Sequence, residues 1–322
     1  MIHKAWISKH LAECFNIIAE EIVENKIGWQ NIVYYINGST GSFVLRMTPE
    51  SNRSDQELTG ELQWLTLLKG HLKVPQAILT KDNQLFAKVM VHGRSYFSSV
   101  FERLPGKHID YPGYIQQQTL FFAIGKELGK LHNRSQDLNV SSLYRRHFFE
   151  NQYLRGFDQY VPTVMNDIRQ AKDQLVSGLQ EFGKEKSNYG LIHGDVHLNN
   201  LLINNNTVCL IDFDECQYSF FIEDIAISLY YSIYQLTNSQ ACQRKKLADV
   251  YLNYFLRGYR QEVSLHNREL AKLEFFLKLR EIIAFVGAYK KWDFQDLSQW
   301  QHLYLKESYR RISNRESMVI LK

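Results

Sequence analysis

The sequence predicts an α+β protein of two lobes, in which a small mixed sheet is followed by a larger, mainly helical part. The first hundred residues change hydrophobic period often and alternate between strand-like and helix-like runs. From Tyr114 onward the apolar residues recur at helical spacing, with one interruption between residues 189 and 214. A chain of 322 residues is also long enough for two hydrophobic cores.

The elements of the small lobe are predicted from periodicity and turn residues. Apolar residues three and four apart predict two helices, over 11–26 and 55–69. Runs rich in β-branched and aromatic residues predict strands over 32–36, 43–47, 84–91 and 96–101. Between the first two strands, Asn37–Ser42 is rich in Gly and Ser, which predicts a tight turn.

The larger lobe is predicted to consist of amphipathic helices. They cover 114–131, 162–182, 222–234, 242–259, 268–291 and 297–312. The two lobes should be joined where an apolar strand runs into Pro105-Gly106, because Pro and Gly make the chain change course. We therefore expect a first domain at 1–101, a connection at 102–107 and a second domain at 108–322.

Residues 193–200, together with Asp212, form the most specific pattern of the chain. The segment reads His-Gly-Asp-Val-His-Leu-Asn-Asn, and two apolar runs joined by an Asn-rich turn then lead to Asp212. The apolar runs predict a β-hairpin, because Asn tolerates the left-handed conformations of tight turns. Asn200 should then lie just before one strand and Asp212 just after the other, which brings two oxygen donors together. Such donors suit Mg²⁺.

The interval between Asp195 and Asn200 is typical of phosphoryl transfer. In protein kinases the same interval separates the Asp that accepts the proton of the substrate hydroxyl from an Asn that binds metal. Asp212 stands where the next metal-binding Asp would stand, with an aromatic residue after it. A zinc site of His193, Asp195 and His197 is the competing interpretation, but it accounts for neither Asn200 nor Asp212.

These segments resemble the signature of the aminoglycoside phosphotransferase and choline kinase superfamily, the kinase-like small-molecule phosphotransferases. Both parts of the family pattern, His-Gly-Asp-x-His-x-x-Asn and Ile-Asp-Phe, are present, and Asp224-Ile225-Ala226 resembles a third segment. In pattern the chain is most similar to the bacterial branch of type II homoserine kinases and a stress-response kinase. The resemblance implies a protein-kinase-like two-lobed fold. In such a fold 1–101 binds nucleotide, 102–107 is the hinge, and 108–322 carries the catalytic and acceptor-binding groups.

The nucleotide is expected to contact the small lobe at a turn and at the hinge. A phosphate cradle can form from four small residues, Gly38, Ser39, Thr40 and Gly41. Small residues let main-chain N–H groups approach phosphate oxygens. The resemblance implies that main-chain groups at Glu102 and Leu104 bind the adenine ring. Alternatively, the turn and the hinge are ordinary connections between elements.

The resemblance also implies an ion pair between a strand and the helix that follows it. Arg46 falls where related enzymes carry a Lys that binds the α- and β-phosphates, and Arg can still clamp phosphate through two bonds. Its partner should be a Glu of the helix over 55–69. Glu57 and Glu61 lie on one face of that helix, and Glu61 begins a Glu-Leu-x-Trp-Leu segment typical of the family. Glu61 is therefore the expected partner.

The expected reaction is Mg²⁺-dependent transfer of the γ-phosphoryl group of ATP to a hydroxyl. Asp195 is the predicted base, with His197 as a second catalytic candidate. Asn200 and Asp212 are the predicted metal ligands. The acceptor is expected to be a homoserine-like metabolite or an aminoglycoside-like compound. A protein Ser or Thr acceptor remains an alternative, and so does a pseudokinase that binds nucleotide as a scaffold.

Composition and charge argue against several other classes. With 38 basic and 34 acidic residues, the formal net charge of +4 is too balanced to favour nucleic acid as a partner. No apolar run approaches the roughly 18 residues of a membrane span. The four cysteines are widely spaced, which is typical of reduced thiols in a cytosolic protein. The first residues lack the features of a signal peptide. We therefore expect a cytoplasmic protein that does not bind membranes.

Overall fold

The computed structural model describes residues 2–25, 30–137, 142–205 and 207–321. The chain divides into two compact units. The first comprises Met1–Gly106, Ser141–Arg145 and Cys209–Asp214, and the second comprises Lys107–Val140, Arg146–Val208 and Glu215–Lys322. A sheet dominates the first unit and helices dominate the second, which confirms the predicted α+β class. The hinge expected at 102–107 stays a prediction.

A six-stranded sheet is the main element of the first unit. Its strands are β1 (Ala19–Asn25), β2 (Ile32–Gly38), β3 (Gly41–Pro49), β4 (Ala77–Ile78), β5 (Ala87–Val91) and β6 (Arg94–Glu102). They follow the order β1-β2-β3-β6-β4, and β5 pairs with β6. The four predicted strands are confirmed, with β5 shorter than expected. All of these pairs are antiparallel, so the sheet is not the mixed one expected. Tight hairpins such as that between β2 and β3 join only antiparallel neighbours.

The helix predicted over 11–26 was wrong in its second half. Helix α1 covers Lys4–Phe15 and ends at Asn16, whose φ of 57° is a left-handed conformation that Asn tolerates. The chain then continues as β1, which pairs with β2 along its length. Within β1, Ile22 alone is buried, so main-chain pairing rather than side-chain period decides the structure here. Residue 26 lies outside the described residues.

One hydrophobic cluster of the first unit combines side chains of α1 with those of the sheet. Its buried side chains include Ile7 and Leu11 of α1, and Ile36, Leu45 and Val100 of the strands. A second helix, α2, covers Asp55–Leu68, in agreement with the predicted helix over 55–69. This helix carries both candidate partners of Arg46.

The second unit is mainly helical. Its longer helices are α3 (Gln118–Asp137), α6 (Asn166–Gln180), α7 (Phe221–Ile233), α8 (Ala241–Tyr259), α10 (Leu273–Lys291) and α11 (Gln299–Ser313). Its short helices are α4 (Gln152–Arg155), α5 (Phe157–Tyr160) and α9 (Asn267–Leu270). The predicted helical stretches are confirmed, except that the stretch over 268–291 is divided between α9 and α10. Within the described residues, no helix combines the length and the apolar composition that crossing a membrane requires.

Two short strand pairs flank the polar segment of the motif. Strand β7 (Tyr189–Ile192) pairs antiparallel with β10 (Gln217–Phe220), and β8 (Leu201–Asn204) pairs with β9 (Thr207–Leu210). The predicted hairpin is thus confirmed. Asn200 immediately precedes β8, and Asp212 is the second residue after β9.

Candidate active site

The loop at 193–195 is anchored by the carboxylate of Asp224. The main-chain N–H of His193 donates to Oδ2 of Asp224 at 2.8 Å, and the N–H of Gly194 donates to Oδ1 at 2.8 Å. Nε2 of His132 lies 3.1 Å from the same Oδ2. Because Asp224 is buried in the first turn of α7, this helix determines the position of the loop.

Gly194 turns the loop towards Asp195. Its φ of 81° is left-handed, and a Cβ there would lie 2.2 Å from the carbonyl oxygen of Glu215. A side chain at this position would collide with the main chain, so the Gly of the motif is a steric requirement. His193 is buried beside it, and its Nδ1 accepts the main-chain N–H of Asp195 at 3.3 Å. His193 therefore stabilises the loop.

Three side chains converge on the carboxylate of Asp195. Nε2 of His197 lies 3.1 Å from Oδ2, and Nδ2 of Asn200 donates to the same oxygen at 3.2 Å. Oδ1 accepts a hydrogen bond from Nη2 of Arg280. The Asp195 side chain keeps 22% of its surface exposed, so a substrate hydroxyl can still reach it. The structure thus brings the predicted base, His197 and Asn200 together, and adds Arg280, which the sequence pattern did not single out.

The charges around Asp195 keep it ionised. Burial alone would raise the pKa of this carboxyl, but His197 and Arg280 outweigh burial and hold the pKa well below its usual range. Burial would likewise lower the pKa of Arg280, but Tyr231 and Asp195 raise it above its ordinary value. Asp195 is therefore a carboxylate at neutral pH, which is the form that accepts a hydrogen bond from a hydroxyl.

Tyr231 of α7 supports two of the groups that bind Asp195. Nη2 of Arg280 donates to the Tyr231 hydroxyl at 2.9 Å, and the guanidinium carbon lies 4.8 Å from the ring centroid. The ring of His197 contacts the same tyrosine edge-on, with centroids 5.1 Å apart. The sequence signal for Arg280 is a charge among the apolar residues of α10, a pattern that ordinary structural ion pairs share.

The predicted metal ligands are Asn200 in the second unit and Asp212 in the first. Nδ2 of Asn200 donates to the main-chain oxygen of Asp195 at 3.0 Å and to its Oδ2 at 3.2 Å. Because both partners are acceptors, the amide orientation is fixed, and Oδ1 is the atom that can bind a cation. Asp212 is exposed and has a φ of 61°. An amide oxygen and a carboxylate are donors of the kind that Mg²⁺ prefers.

The alternative zinc site of His193, Asp195 and His197 finds no support. In the ranges that the structure describes, no group of three or more His, Cys, Asp or Glu side chains is arranged to hold a metal ion. Nδ1 of His193 instead accepts a main-chain N–H of the loop.

The predicted ion pair between β3 and α2 is present. Nη1 and Nη2 of Arg46 donate to Oε1 and Oε2 of Glu61 at 2.7 and 2.9 Å, and both side chains are buried. Burial would lower the pKa of Arg46, but Glu61 raises it above its ordinary value. Glu57 has a different role, because its Oε2 accepts the main-chain N–H of Ser54 at 3.0 Å and so caps α2.

A second buried ion pair involves Asp214, two residues after Asp212. Nε of Arg53 donates to Oδ1 of Asp214 at 3.0 Å, and Nη2 of Arg53 donates to Oδ2 at 3.3 Å. Burial would raise the pKa of Asp214, but Arg53, Arg46 and Arg145 outweigh it and lower the pKa. Neither Arg53 nor Arg145 belongs to a recognisable motif, so sequence reasoning missed this cluster.

The turn expected to cradle phosphate joins β2 to β3. Gly38 pairs with Gly41 across it, and Ser39 and Thr40 are exposed. A Cβ on Gly38 would lie 2.9 Å from the carbonyl oxygen of Ile18, so close packing accounts for this glycine. The N–H of Ser39 donates to the same oxygen at 3.2 Å.

At the expected hinge, two main-chain groups bond within the first unit. The N–H of Glu102 donates to the oxygen of Gln76 at 3.1 Å, and the N–H of Arg103 donates to that of Ser42 at 3.0 Å. These two N–H groups therefore already have hydrogen-bond acceptors within the first unit. The assignment of Glu102 and Leu104 to adenine binding stays a prediction, as does the phosphate cradle.

Comparison with known sequences identifies similar proteins over most of the chain. Residues 21–265 match the model of the phosphotransferase enzyme family. The amicoumacin kinase of Bacillus subtilis (strain 168) is 25% identical over 292 residues, which covers 88% of this chain and 85% of the relative.

Solved structures share the whole fold. An amicoumacin kinase in complex with AMP-PNP, Ca²⁺ and Ami has a TM-score of 0.89 at 24% identity, covering 99% of this chain and 96% of the other. A microcompartment-associated aminopropanol kinase has a TM-score of 0.75 at 19% identity, covering 97% of both chains. A spectinomycin phosphotransferase in complex with ADP and spectinomycin has a TM-score of 0.61 at 14% identity, covering 96% of this chain and 98% of the other. At these identities the likeness establishes the fold.

Proposed function

The chain belongs to the phosphotransferase enzyme family, and from this premise we propose that it transfers the γ-phosphoryl group of ATP to a hydroxyl of a small molecule. The observation that carries the proposal is the carboxylate of Asp195. This carboxylate is ionised and partly exposed, and three side chains hold it. The loop that carries it is anchored by α7. A fixed carboxylate of this kind orients the attacking hydroxyl in kinases.

Asp195 accepts a hydrogen bond from the acceptor hydroxyl and directs its oxygen at the γ-phosphorus. As the new O–P bond forms, the bond from the γ-phosphorus to the bridging oxygen breaks, ADP leaves, and the hydroxyl proton passes to Asp195. Because such transition states are loose, placement of the hydroxyl contributes more than base strength. A carboxylate of low pKa is adequate for this role. His197, the second catalytic candidate, holds Oδ2 of Asp195 as a positioning residue.

The first unit supplies the nucleotide-binding groups in this proposal. Arg46 binds the α- and β-phosphates of ATP, while Glu61 fixes the direction of its guanidinium. Two of the five N–H groups of Arg46 are used by Glu61, so others remain for phosphate oxygens. The turn at 38–41 contributes main-chain N–H groups other than that of Ser39, and the main chain at Glu102 and Leu104 binds the adenine through groups other than the N–H of Glu102.

Asn200 and Asp212 would hold a divalent cation, which we propose is Mg²⁺. The fit rests on donor chemistry, because the amide nitrogen of Asn200 is committed to Asp195 and its oxygen is the remaining donor. When bound, the cation would neutralise charge on the phosphate oxygens. Asn200 also donates to Asp195, so this one side chain would contact both the cation and the proposed base.

The acceptor is proposed as a small hydroxyl-bearing compound. The similar proteins are named for amicoumacin, aminopropanol and spectinomycin, and none of them shares enough identity to transfer its acceptor. We therefore place these three compounds, with homoserine and an aminoglycoside, in one acceptor panel.

The panel experiment incubates the purified protein with ATP, Mg²⁺ and each acceptor, and detects the phosphorylated product by mass spectrometry. We expect a product with at least one hydroxyl compound, and no product when Mg²⁺ is chelated. If the protein binds ATP but yields no product with any compound of a broad panel, the enzyme proposal fails in favour of a nucleotide-binding scaffold.

A further inference from the structure

Arg53 binds both the side chain and the main chain of Asp214. Its Nε and Nη2 donate to Oδ1 and Oδ2 at 3.0 and 3.3 Å, and Nη2 also donates to the carbonyl oxygen of Asp214 at 3.1 Å. The two side chains are 3% and 6% exposed, so water competes little for these bonds. Nη2 of Arg145 donates to the same carbonyl oxygen at 2.5 Å. Both the carboxylate and the main chain are therefore fixed.

Asp214 lies two residues beyond the proposed metal ligand, Asp212. Phe213 between them is buried. The segment 212–214 is therefore held both by the packing of the Phe213 side chain and by the hydrogen bonds to Asp214. Asp212 itself has a φ of 61°, in the left-handed region that only a few per cent of non-Gly residues adopt, Asn and Asp more often than most. Such a conformation persists only where neighbouring contacts determine it.

We propose that Arg53 and Asp214 form a clamp that positions Asp212 and thereby sets the affinity of the enzyme for its divalent cation. The inference rests on the proposed function, because it assumes that Asp212 is a metal ligand. Asp214 is a positioning residue in this scheme and not a further ligand. Its Oδ1 and Oδ2 bind Arg53, and Oδ2 also accepts Nδ2 of Asn31 at 3.3 Å.

The geometry of the clamp requires arginine. The planar guanidinium reaches two carboxylate oxygens and one carbonyl oxygen at once, whereas a lysine offers a single ammonium at the end of its chain. Arg53→Lys keeps the buried positive charge and loses part of this geometry. Asp214→Asn keeps the shape of the side chain but turns one acceptor into a donor that faces Arg53. Both variants therefore loosen the segment without leaving a cavity.

The test measures the Kd for Mg²⁺ in the presence of a non-hydrolysable ATP analogue, by calorimetry. Groups that orient metal ligands typically contribute about 10–100-fold to metal affinity. We expect a loss in that range for Arg53→Lys and for Asp214→Asn, while the Mg²⁺-free affinity for the analogue stays within about twofold of the wild-type value. Arg94→Lys is the matched control, because Arg94 is an exposed residue of the same unit.

Three outcomes separate the explanations. Wild-type Mg²⁺ affinity in both folded variants overturns the clamp and leaves the proposed function standing. An equal loss of Mg²⁺-free nucleotide binding also overturns it, because a general distortion of the unit would then explain the effect. If the wild type shows no Mg²⁺-dependent nucleotide binding, the proposed function fails first and the clamp fails with it.

A second measurement covers the case in which a variant is less stable. The dependence of kcat on Mg²⁺ concentration is compared at saturating ATP and acceptor. The clamp predicts that kcat of Arg53→Lys approaches the wild-type value at high Mg²⁺, with a raised half-saturation point. A reduced kcat that persists at saturating Mg²⁺ contradicts it.

Discussion

The guanidinium of Arg280 binds Asp195 and the hydroxyl of Tyr231 through the same nitrogen. Arg280 lies on α10 and Asp195 on the loop after β7, so the proposed base is fixed by a residue 85 positions away in sequence. Arg280 is also buried, with 7% of its surface exposed. This contact fixes Oδ1 of Asp195 from α10, while His197 and Asn200 of the same loop contact Oδ2.

Replacing Arg280 should lower kcat more than it affects nucleotide binding. Hydrogen bonds to charged groups contribute about 1.5–3 kcal/mol, so we expect Arg280→Met to reduce kcat by about 10–100-fold. Arg280→Lys should retain part of the activity, because it keeps the charge. Tyr231→Phe, which removes one support of Arg280, should have a smaller effect. Steady-state kinetics and nucleotide Kd values check this, and an unchanged kcat in Arg280→Met would contradict it.

The pair of Arg46 and Glu61 should govern nucleotide affinity. Breaking a buried ion pair at one partner costs about 3–5 kcal/mol, because the other charge stays buried. Glu61→Gln should therefore lower the free energy of unfolding by an amount near the lower end of that range, since the amide keeps one bond. The same variant should weaken ATP binding, as Arg46 loses its fixed direction. Glu57→Gln on the same helix is the control: it weakens the cap of α2 by about 1 kcal/mol and should spare the nucleotide Kd. Equal nucleotide affinities in both variants would argue against Arg46 as the phosphate ligand.

Gly194 should not tolerate a side chain. A Cβ at Gly194 would meet the carbonyl oxygen of Glu215 at 2.2 Å, in a left-handed backbone. We expect Gly194→Ala to destabilise the protein by more than about 1 kcal/mol and to abolish most activity. Gly178→Ala is the matched control: outside the neighbouring main chain of α6, no atom of the described residues lies within 4 Å of the added Cβ, and the protein should gain about 0.4–1 kcal/mol. Urea denaturation of both variants decides, and a Gly194→Ala variant as stable and active as the wild type would contradict the loop geometry.

Glu223 should make stability depend on pH. Its side chain is buried, with 1% of the residue exposed, and this burial raises its pKa to about 7. The negative charge of Asp224 also raises the pKa, whereas the hydrogen bond from Ser219 lowers it. The folded pKa lies above the unfolded value of 4.5, so the folded state binds more protons between these two values. The stabilisation is therefore complete below the lower value and is lost as pH rises towards the upper one.

Glu223→Gln tests this pH dependence because the amide cannot ionise. Relative to the wild type, its free energy of unfolding should increase by about 3 kcal/mol as pH rises from about 4.5 to above about 7. Urea denaturation at several pH values gives the difference directly. Glu274→Gln, at a half-exposed position of α10, serves as the control and should give a flat difference. A flat difference for Glu223→Gln as well would mean that the pKa of Glu223 is not raised in the folded protein.

Local patterns predicted the parts of the site that neighbouring residues determine. The positions of Asn200 and Asp212 at the ends of a hairpin follow from apolar runs and turn residues, whereas the pair of Arg46 and Glu61 was expected from the family resemblance. The helix predicted over 11–26 was partly wrong because pairing with β2 overrides the side-chain period there. The residues of 11–26 alone do not indicate that pairing, because the partner strand lies later in the chain.

Long-range contacts account for what sequence reasoning missed. Arg280 and Arg53 reach Asp195 and Asp214 across 85 and 161 positions, and no spacing rule connects residues so far apart. Each is a charged residue in a segment that would read equally well as an ordinary surface or core element. Only the three-dimensional structure shows that each guanidinium binds a carboxylate of the proposed site.

The measurement that tests the central claim most directly is kcat of Asp195→Asn with an acceptor that the wild type phosphorylates, measured together with the nucleotide Kd. The amide keeps the shape of the side chain but cannot accept the hydroxyl proton. General base catalysis contributes about 10²–10⁴-fold, so we predict a loss of kcat in that range with a nucleotide Kd within about twofold of wild type. Asn199→Ala, at an exposed neighbour in the same loop, should retain activity. An Asp195→Asn variant that keeps wild-type kcat would contradict the assignment of Asp195 as the group that receives the acceptor proton.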